Sequence, residues 1–144
     1  ANHTHDHKYI SKLSADGIIS QIGSTNQKIE AICGVSPVLM RPPGGYIDTR
    51  SLSVVGNMGM SAIMWSIDTR DWQHRNAQRT IDTVLSQVRD GDIILMHDIY
   101  STSADAAVVL IPELTARGYQ LVTVSELAAY RGGAAPGHKY SQFR

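Results

Sequence analysis

Three times along the chain a short apolar run ends in an ionisable side chain, and each time a helical pattern follows. "PVLM" is followed by Arg41, "SAIMWSI" by Asp68 and Asp71, and "DIILM" by His97. Ile18, Ile22, Ile29 and Ile32 recur near a helical period after Ser14, with Gly34 as a stop. A second helix is expected from about Asp48 to Gly56, and a third carries Ile81, Val84, Leu85 and Val88 on one face and ends at Gly91. A fourth runs through "ADAAVVLIPELTAR" to Gly118, bent or restarted at Pro112. "YQLVTV" reads as another strand, with a short helix from Ser125. Strand, loop and helix repeated without a hairpin signal define an α/β fold with a parallel sheet, wound open or closed as a barrel. In a barrel every strand delivers its last residue to one rim, so Arg41, Asp68, Asp71 and His97 are where function is expected.

A chain of 144 residues fits one domain and can bury roughly 70% of its extended surface. Lys and Arg number 13 against 13 Asp and Glu, which excludes a basic nucleic-acid surface and favours a neutral or polymeric partner. The lone Cys33 can form no intramolecular disulfide and is expected as a small buried hydrophobe. No apolar run is long enough to cross a bilayer. Residues 1–130 carry the alternating pattern, and 131–144, "RGGAAPGHKYSQFR", are read as a loose, polar, Gly-rich tail.

The side chains able to do chemistry begin almost at once. In "ANHTHDHKY", His3 and His7 stand four apart, so a helical turn or compact loop lets both imidazoles face one point. Zinc takes three protein ligands plus water in catalytic sites, and His5 and Asp6 are the nearby options for the third. "RPPGG", Arg41 to Gly45, is a rigid turn that serves as a plain connection or, beside a metal, as a source of an oxyanion-binding glycine N–H. "DTRDW" offers Asp68, Asp71 and Trp72; Asp68 could equally cap the next segment. His97 closes a strand too apolar for a casual surface residue, and a neighbouring carboxylate would make it a tunable acid or base.

In this order the pieces resemble the polysaccharide deacetylases, the NodB-homology carbohydrate esterases, from Asn2 to about Leu127. His3, Thr4 and His7 match H-[ST]-x-x-H; "RPPGG" matches R-x-P; "DTRDW" matches D-x-x-D-W; Leu95 and His97 match L-x-H. The stretch from "IILMHD" to "VTVSEL" looks most like peptidoglycan N-acetylglucosamine deacetylases. The resemblance implies a distorted (β/α) barrel, and a metal-dependent hydrolase that removes N-acetyl groups from peptidoglycan. It implies His3 and His7 as ligands of one divalent metal, zinc before cobalt or manganese. His97 would protonate the leaving amine, Asp71 would hold its other nitrogen, and Arg41 would orient a catalytic base. Gly44 would bind the oxyanion, Tyr46 would stand in for the tyrosine relatives carry at Gly44, Trp72 would wall the sugar groove and Leu95 would line the acetate pocket.

The family's T-F-D-D motif, which supplies the base and the third ligand, has no match here. The expectation is therefore a barrel lacking its first βα units, 1–130 being the C-terminal part of a catalytic domain that is incomplete alone, with the rest supplied by another polypeptide. An extracellular or cell-envelope location follows, with a signal or anchor expected upstream. The other readings are a chitin-oligosaccharide deacetylase, an acetylxylan esterase, or a sugar-binding module without catalysis.

Overall fold

The computed structural model describes residues 1–144, which form two compact units. The first comprises residues 1–64 and 132–140. Its long helix α1, Ala15–Cys33, starts where Ser14 Oγ accepts from Gly17 N–H and stops at Gly34, whose φ of 71° is the left-handed turn that glycine adopts freely. Helix α2, Thr49–Asn57, opens on a capping box in which Asp48 and Ser51 exchange side-chain and backbone bonds. Between them lies β1, Leu39–Met40, which pairs in parallel with β2, Ser61–Ile63. Ile10, Ile18, Ile22, Met40, Val55, Met60 and Ala62 make the core beneath this sheet. Ile29 and Ile32 continue the helical period without joining that core; Ile32 is 84% exposed, and Cys33 is exposed rather than buried, because the last turn of α1 runs past the packed residues.

The tail is not loose. Strand β5, Lys139–Tyr140, adds to β2 in parallel, giving the order β1-β2-β5. Gly137 N–H donates to Met60 O, and Ser61 Oγ–H lies 2.9 Å from the carbonyls of Ala134 and Ala135. Glycine and proline content favoured a loop reading, but backbone hydrogen bonding to a free sheet edge decides the conformation.

The second unit comprises residues 65–131 and 141–144. The run "SAIMWSI" does not form one strand: Met64 N–H donates to Tyr140 O, whereas Ser66 and Ile67 both donate to Ile93 O. β2 ends at Ile63, and a separate β3, Ile67–Asp68, pairs in parallel with β4, Ile94–Leu95. A one-turn helix α3, Asp71–His74, is bracketed by Arg70 and Arg75, both left-handed at φ 53° and 47°. Helix α4, Ala77–Gln87, stops short of Gly91 because Val88 leaves helical geometry; its carbonyl accepts from Tyr119 Oη–H. Helix α5, Ser101–Ala116, begins earlier than its apolar pattern and runs through Pro112 without restarting. Proline denies Val108 O its helical donor, and Val108 is 73% exposed, so water can take that place. Helices α4 and α5 pack through Ile81, Val84, Ala106, Leu110 and Leu114.

"YQLVTV" is not a strand. Tyr119 N–H returns to Leu114 O, Thr123 caps helix α6, Val124–Tyr130, and the residues between pair with no neighbour. Alternating apolar residues need a partner edge to become a ladder; Leu121 and Val122 instead line an open cleft of about 700 Å³ with Ile93 and Ile94.

Candidate active site

The histidine pair sits on a compact loop rather than a helix. Thr4 and His7 take left-handed backbone, φ 64° and 55°, conformations that cost a non-glycine residue of order 1–3 kcal/mol and persist only when the surroundings impose them. Asn2 holds the Thr4 turn. It is 1% exposed; its Nδ2 donates to Ile22 O and Asn26 Oδ1, its Oδ1 accepts from Thr4 N–H at 2.7 Å, and its backbone exchanges bonds with Leu39 and Arg41. The rings of His3 and His7 meet edge to face, centroids 4.9 Å apart. His3 Nδ1 lies 2.6 Å from Arg41 O, and because a carbonyl only accepts, Nδ1 carries a proton, so in the neutral ring the lone pair is on Nε2. That second bond, fixing ring and tautomer, is what metal-ligating histidines make.

His5 and Asp6 stay out of this pair. Asp6 accepts from Gln21 Nε2–H at 2.8 Å, its N–H donates to Gln21 Oε1, and His5 Nε2 lies 3.9 Å from Asp6 Oδ1. The hydrogen bond from Gln21 is the main reason the Asp6 carboxyl sits below the usual carboxylate pKa. No third His, Cys, Asp or Glu gathers with His3 and His7. Two imidazoles, one with its outer bond made, fit a borderline-soft divalent cation and would supply part of its coordination.

Arg41 follows β1, its carbonyl engaged by His3 and its half-buried guanidinium in no ion pair of the chain; burial alone lowers its pKa. In the turn that follows, Gly45 N–H donates to Pro42 O and Tyr46 N–H to Pro43 O, passing over the exposed Gly44 N–H. Gly44 has φ 63°, and a Cβ there would come within 2.8 Å of the Tyr46 ring and 3.2 Å of the Tyr9 ring. Only glycine fits.

In the second unit Asp71 and His97 form a dyad. Asp71 is 1% exposed: Oδ1 accepts from His97 Nδ1–H at 2.8 Å, and Oδ2 accepts from His97 N–H and Ser103 Oγ–H, each at 2.6 Å. Burial pushes the Asp71 pKa up, but the bonds from Ser103 and from the ring and backbone of His97 outweigh it and hold the carboxyl below its ordinary value. An ionised partner on Nδ1 leaves Nε2 as the working nitrogen, on a side chain 36% exposed. Thr69 braces the dyad: Oγ1–H donates to Leu95 O at 2.7 Å while Oγ1 accepts from Asp71 N–H. Leu95 itself is buried, Trp72 is half exposed on α3, and Asp68 does not cap that helix, whose N-cap is Arg70; its Oδ1 accepts from Arg70 N–H in the turn before it.

Each unit thus gathers its own set: His3, His7, Arg41, Gly44 and Tyr46 in one, Asp71, Trp72, Leu95 and His97 in the other. Asn2, Thr69 and Ser103 were not singled out from the sequence. An Asn beside the first histidine is a weak signal, and Ser103 in "STSADAA" looks like an ordinary helix start.

The (β/α) fold is that of solved carbohydrate esterases of family 4. The chain belongs to the polysaccharide deacetylase family, whose profile matches residues 1–63. The structure resembles that of T48 deacetylase with substrate at a TM-score of 0.88 and 38% identity, over 96% of this chain and 68% of that one. It is 45% identical over 126 residues to the peptidoglycan-N-acetylmuramic acid deacetylase PdaC of Bacillus subtilis, and 36% identical to the peptidoglycan-N-acetylglucosamine deacetylase PgdA of Listeria monocytogenes. Each match covers 88% of this chain and 26% of the relative, so the chain spans about a quarter of the length of these relatives. The fold class is accordingly that of the NodB-type (β/α) barrel deacetylases.

Proposed function

We propose that the protein is a metal-dependent hydrolase that removes N-acetyl groups from the N-acetylglucosamine residues of peptidoglycan. The observation that carries this reading is the dyad: a buried carboxylate on His97 Nδ1 leaves Nε2 as the oriented nitrogen of a partly exposed side chain, which is what protonating a leaving amine requires.

His3 and His7 would hold the divalent cation, zinc before cobalt or manganese. Bound there, the cation would supply Lewis acidity, polarising the acetyl carbonyl and lowering the pKa of water toward about 7. The Gly44 N–H, left free by its turn, would donate to the oxyanion formed when water adds to that carbonyl, an interaction worth about 3 kcal/mol in barrier height. As the carbon–nitrogen bond breaks, His97 Nε2–H would give its proton to the sugar nitrogen, leaving acetate and a free amine, with Asp71 stabilising the imidazolium beforehand. The guanidinium of Arg41, in no ion pair, suits a carboxylate base that takes the water's proton. Trp72 offers an exposed ring to a sugar and Leu95 an apolar wall to the acetyl methyl. An N-acetylated glycan strand would be the partner, and its place in the wall would put the protein outside the cell or in the envelope.

Acetate release tests this directly. Protein loaded with zinc, cobalt or manganese should liberate acetate from peptidoglycan glycan strands, and His97→Ala should lose that release. Glycan binding without acetate would make the protein a sugar-binding module, and release confined to chitin oligomers or acetylated xylan would overturn the substrate assignment.

A further inference from the structure

Two tyrosines and a lysine beside the histidine loop have no structural task that explains their exposure. Tyr9 follows His7 by two residues and Tyr46 follows Gly44 by two. Their ring centroids are 4.8 Å apart at 48°, yet the residues remain 40% and 55% exposed. Gly44, lacking a side chain, lets both rings settle against its backbone, so the pair is pinned onto the turn that carries the free N–H. Lys12 Nζ lies 5.5 Å from the centroid of the Tyr9 ring. It forms no ion pair, in contrast to Lys8, whose Nζ lies 3.7 Å from Asp6 Oδ2.

We propose that Tyr9, Tyr46 and Lys12 form a glycan subsite that favours an N-acetylated hexosamine bearing a carboxylate. The inference rests on the deacetylase reading and adds to it which sugar is favoured next to the one that loses its acetyl group. A pyranose presents a face of axial C–H groups, and the electron-rich face of an aromatic ring attracts their partial positive charge while excluding water. Two tyrosines held in place supply such a face at little conformational cost, since each has few side-chain torsions to fix. Stacking alone does not distinguish sugars. The Lys12 ammonium, which lies over the Tyr9 ring but in no ion pair, does: a carboxylate on the stacked sugar, or on its neighbour, would gain a charge partner that a neutral hexosamine cannot use. The site is exposed, so the gain is that of a surface ion pair, sensitive to salt.

The test is a binding titration with two probes: the N-acetylglucosamine tetramer, which is neutral, and glycan strands alternating N-acetylglucosamine with N-acetylmuramic acid whose lactyl carboxylates are free. The wild-type protein should bind the acidic strand more tightly, by about threefold at low salt, with the preference fading as salt rises. Lys12→Met should erase that ratio. Tyr46→Ala should weaken both glycans, and Tyr46→Phe, which keeps the ring, should restore both even if the alanine variant folds poorly. A preference that survives Lys12→Met, or affinities indifferent to Tyr46→Ala in a folded protein, would overturn the proposal. Acetate release is followed in parallel: selective binding without release by the wild type sinks the deacetylase reading and leaves the subsite standing, and release without selectivity does the reverse.

Discussion

A carboxylate that is 1% exposed stays ionised only when donors surround it, and Asp71 has three: Ser103 Oγ–H, His97 Nδ1–H and His97 N–H. Its folded pKa lies below the unfolded value of about 3.9. A group shifted in that direction stabilises the fold fully above the unfolded pKa, and the contribution fades as pH falls through the folded one. Asp71→Asn should therefore lose less stability than the wild type between pH 5 and about pH 2, as urea midpoints at the two values will show; parallel losses would mean that Asp71 is not the group responsible. Ser103→Ala removes one donor without touching His97. It should raise the Asp71 pKa and lower kcat by about tenfold, in line with a hydrogen bond to a charged group, with KM little changed. At this scale the sequence showed the groups that carry charge and concealed those that hold them. His97 and Asp71 stand out because strand ends seldom carry such residues idly, whereas Ser103 and Asn2 act through three-dimensional contacts that no local spacing announces.

Helices were legible wherever an apolar period coincided with a cap, as in α1 between Ser14 and Gly34 and in α2 after Asp48. Strands were not, because their existence depends on a partner edge. "YQLVTV" has the right alternation and no ladder, while the glycine-rich tail has little alternation and pairs with β2. Close backbone approach explains the second case. A Cβ on Gly56 would lie 2.6 Å from Gly137 Cα and 3.0 Å from its nitrogen, so α2 and the tail touch through two glycines. Gly56→Ala should push the tail off the sheet edge despite the higher helix propensity of alanine, at a net loss of about 1–3 kcal/mol. Hydrogen exchange reads the element itself: the amides of Ala62 and Met64, which donate to His138 O and Tyr140 O, should lose protection, and unchanged protection would show that the contact yields without displacing the strand.

The repeating strand-loop-helix order made the α/β class readable over the whole chain, but nothing in it announced two compact units, since the run "SAIMWSI" looks continuous and only its backbone bonds show that its ends serve different sheets. Each unit has its own apolar core, so a substitution at an exposed side chain of one leaves the packing of that core intact. The metal-binding and proton-donating roles should then separate cleanly by mutation. His3→Ala, which deletes one proposed ligand and the bond to Arg41 O, should lose bound zinc on dialysis and turnover with it, and excess zinc should restore part of both. His97→Ala should keep its zinc while turnover falls by about 10²- to 10⁴-fold, and excess zinc should restore nothing, since a missing acid is not replaced by mass action on the cation. Metal content after dialysis, measured beside acetate release, checks both variants at once. If His97→Ala lost zinc together with activity, His97 would be a ligand rather than a proton donor, and the division of labour between the histidine loop and the dyad would have to be reversed.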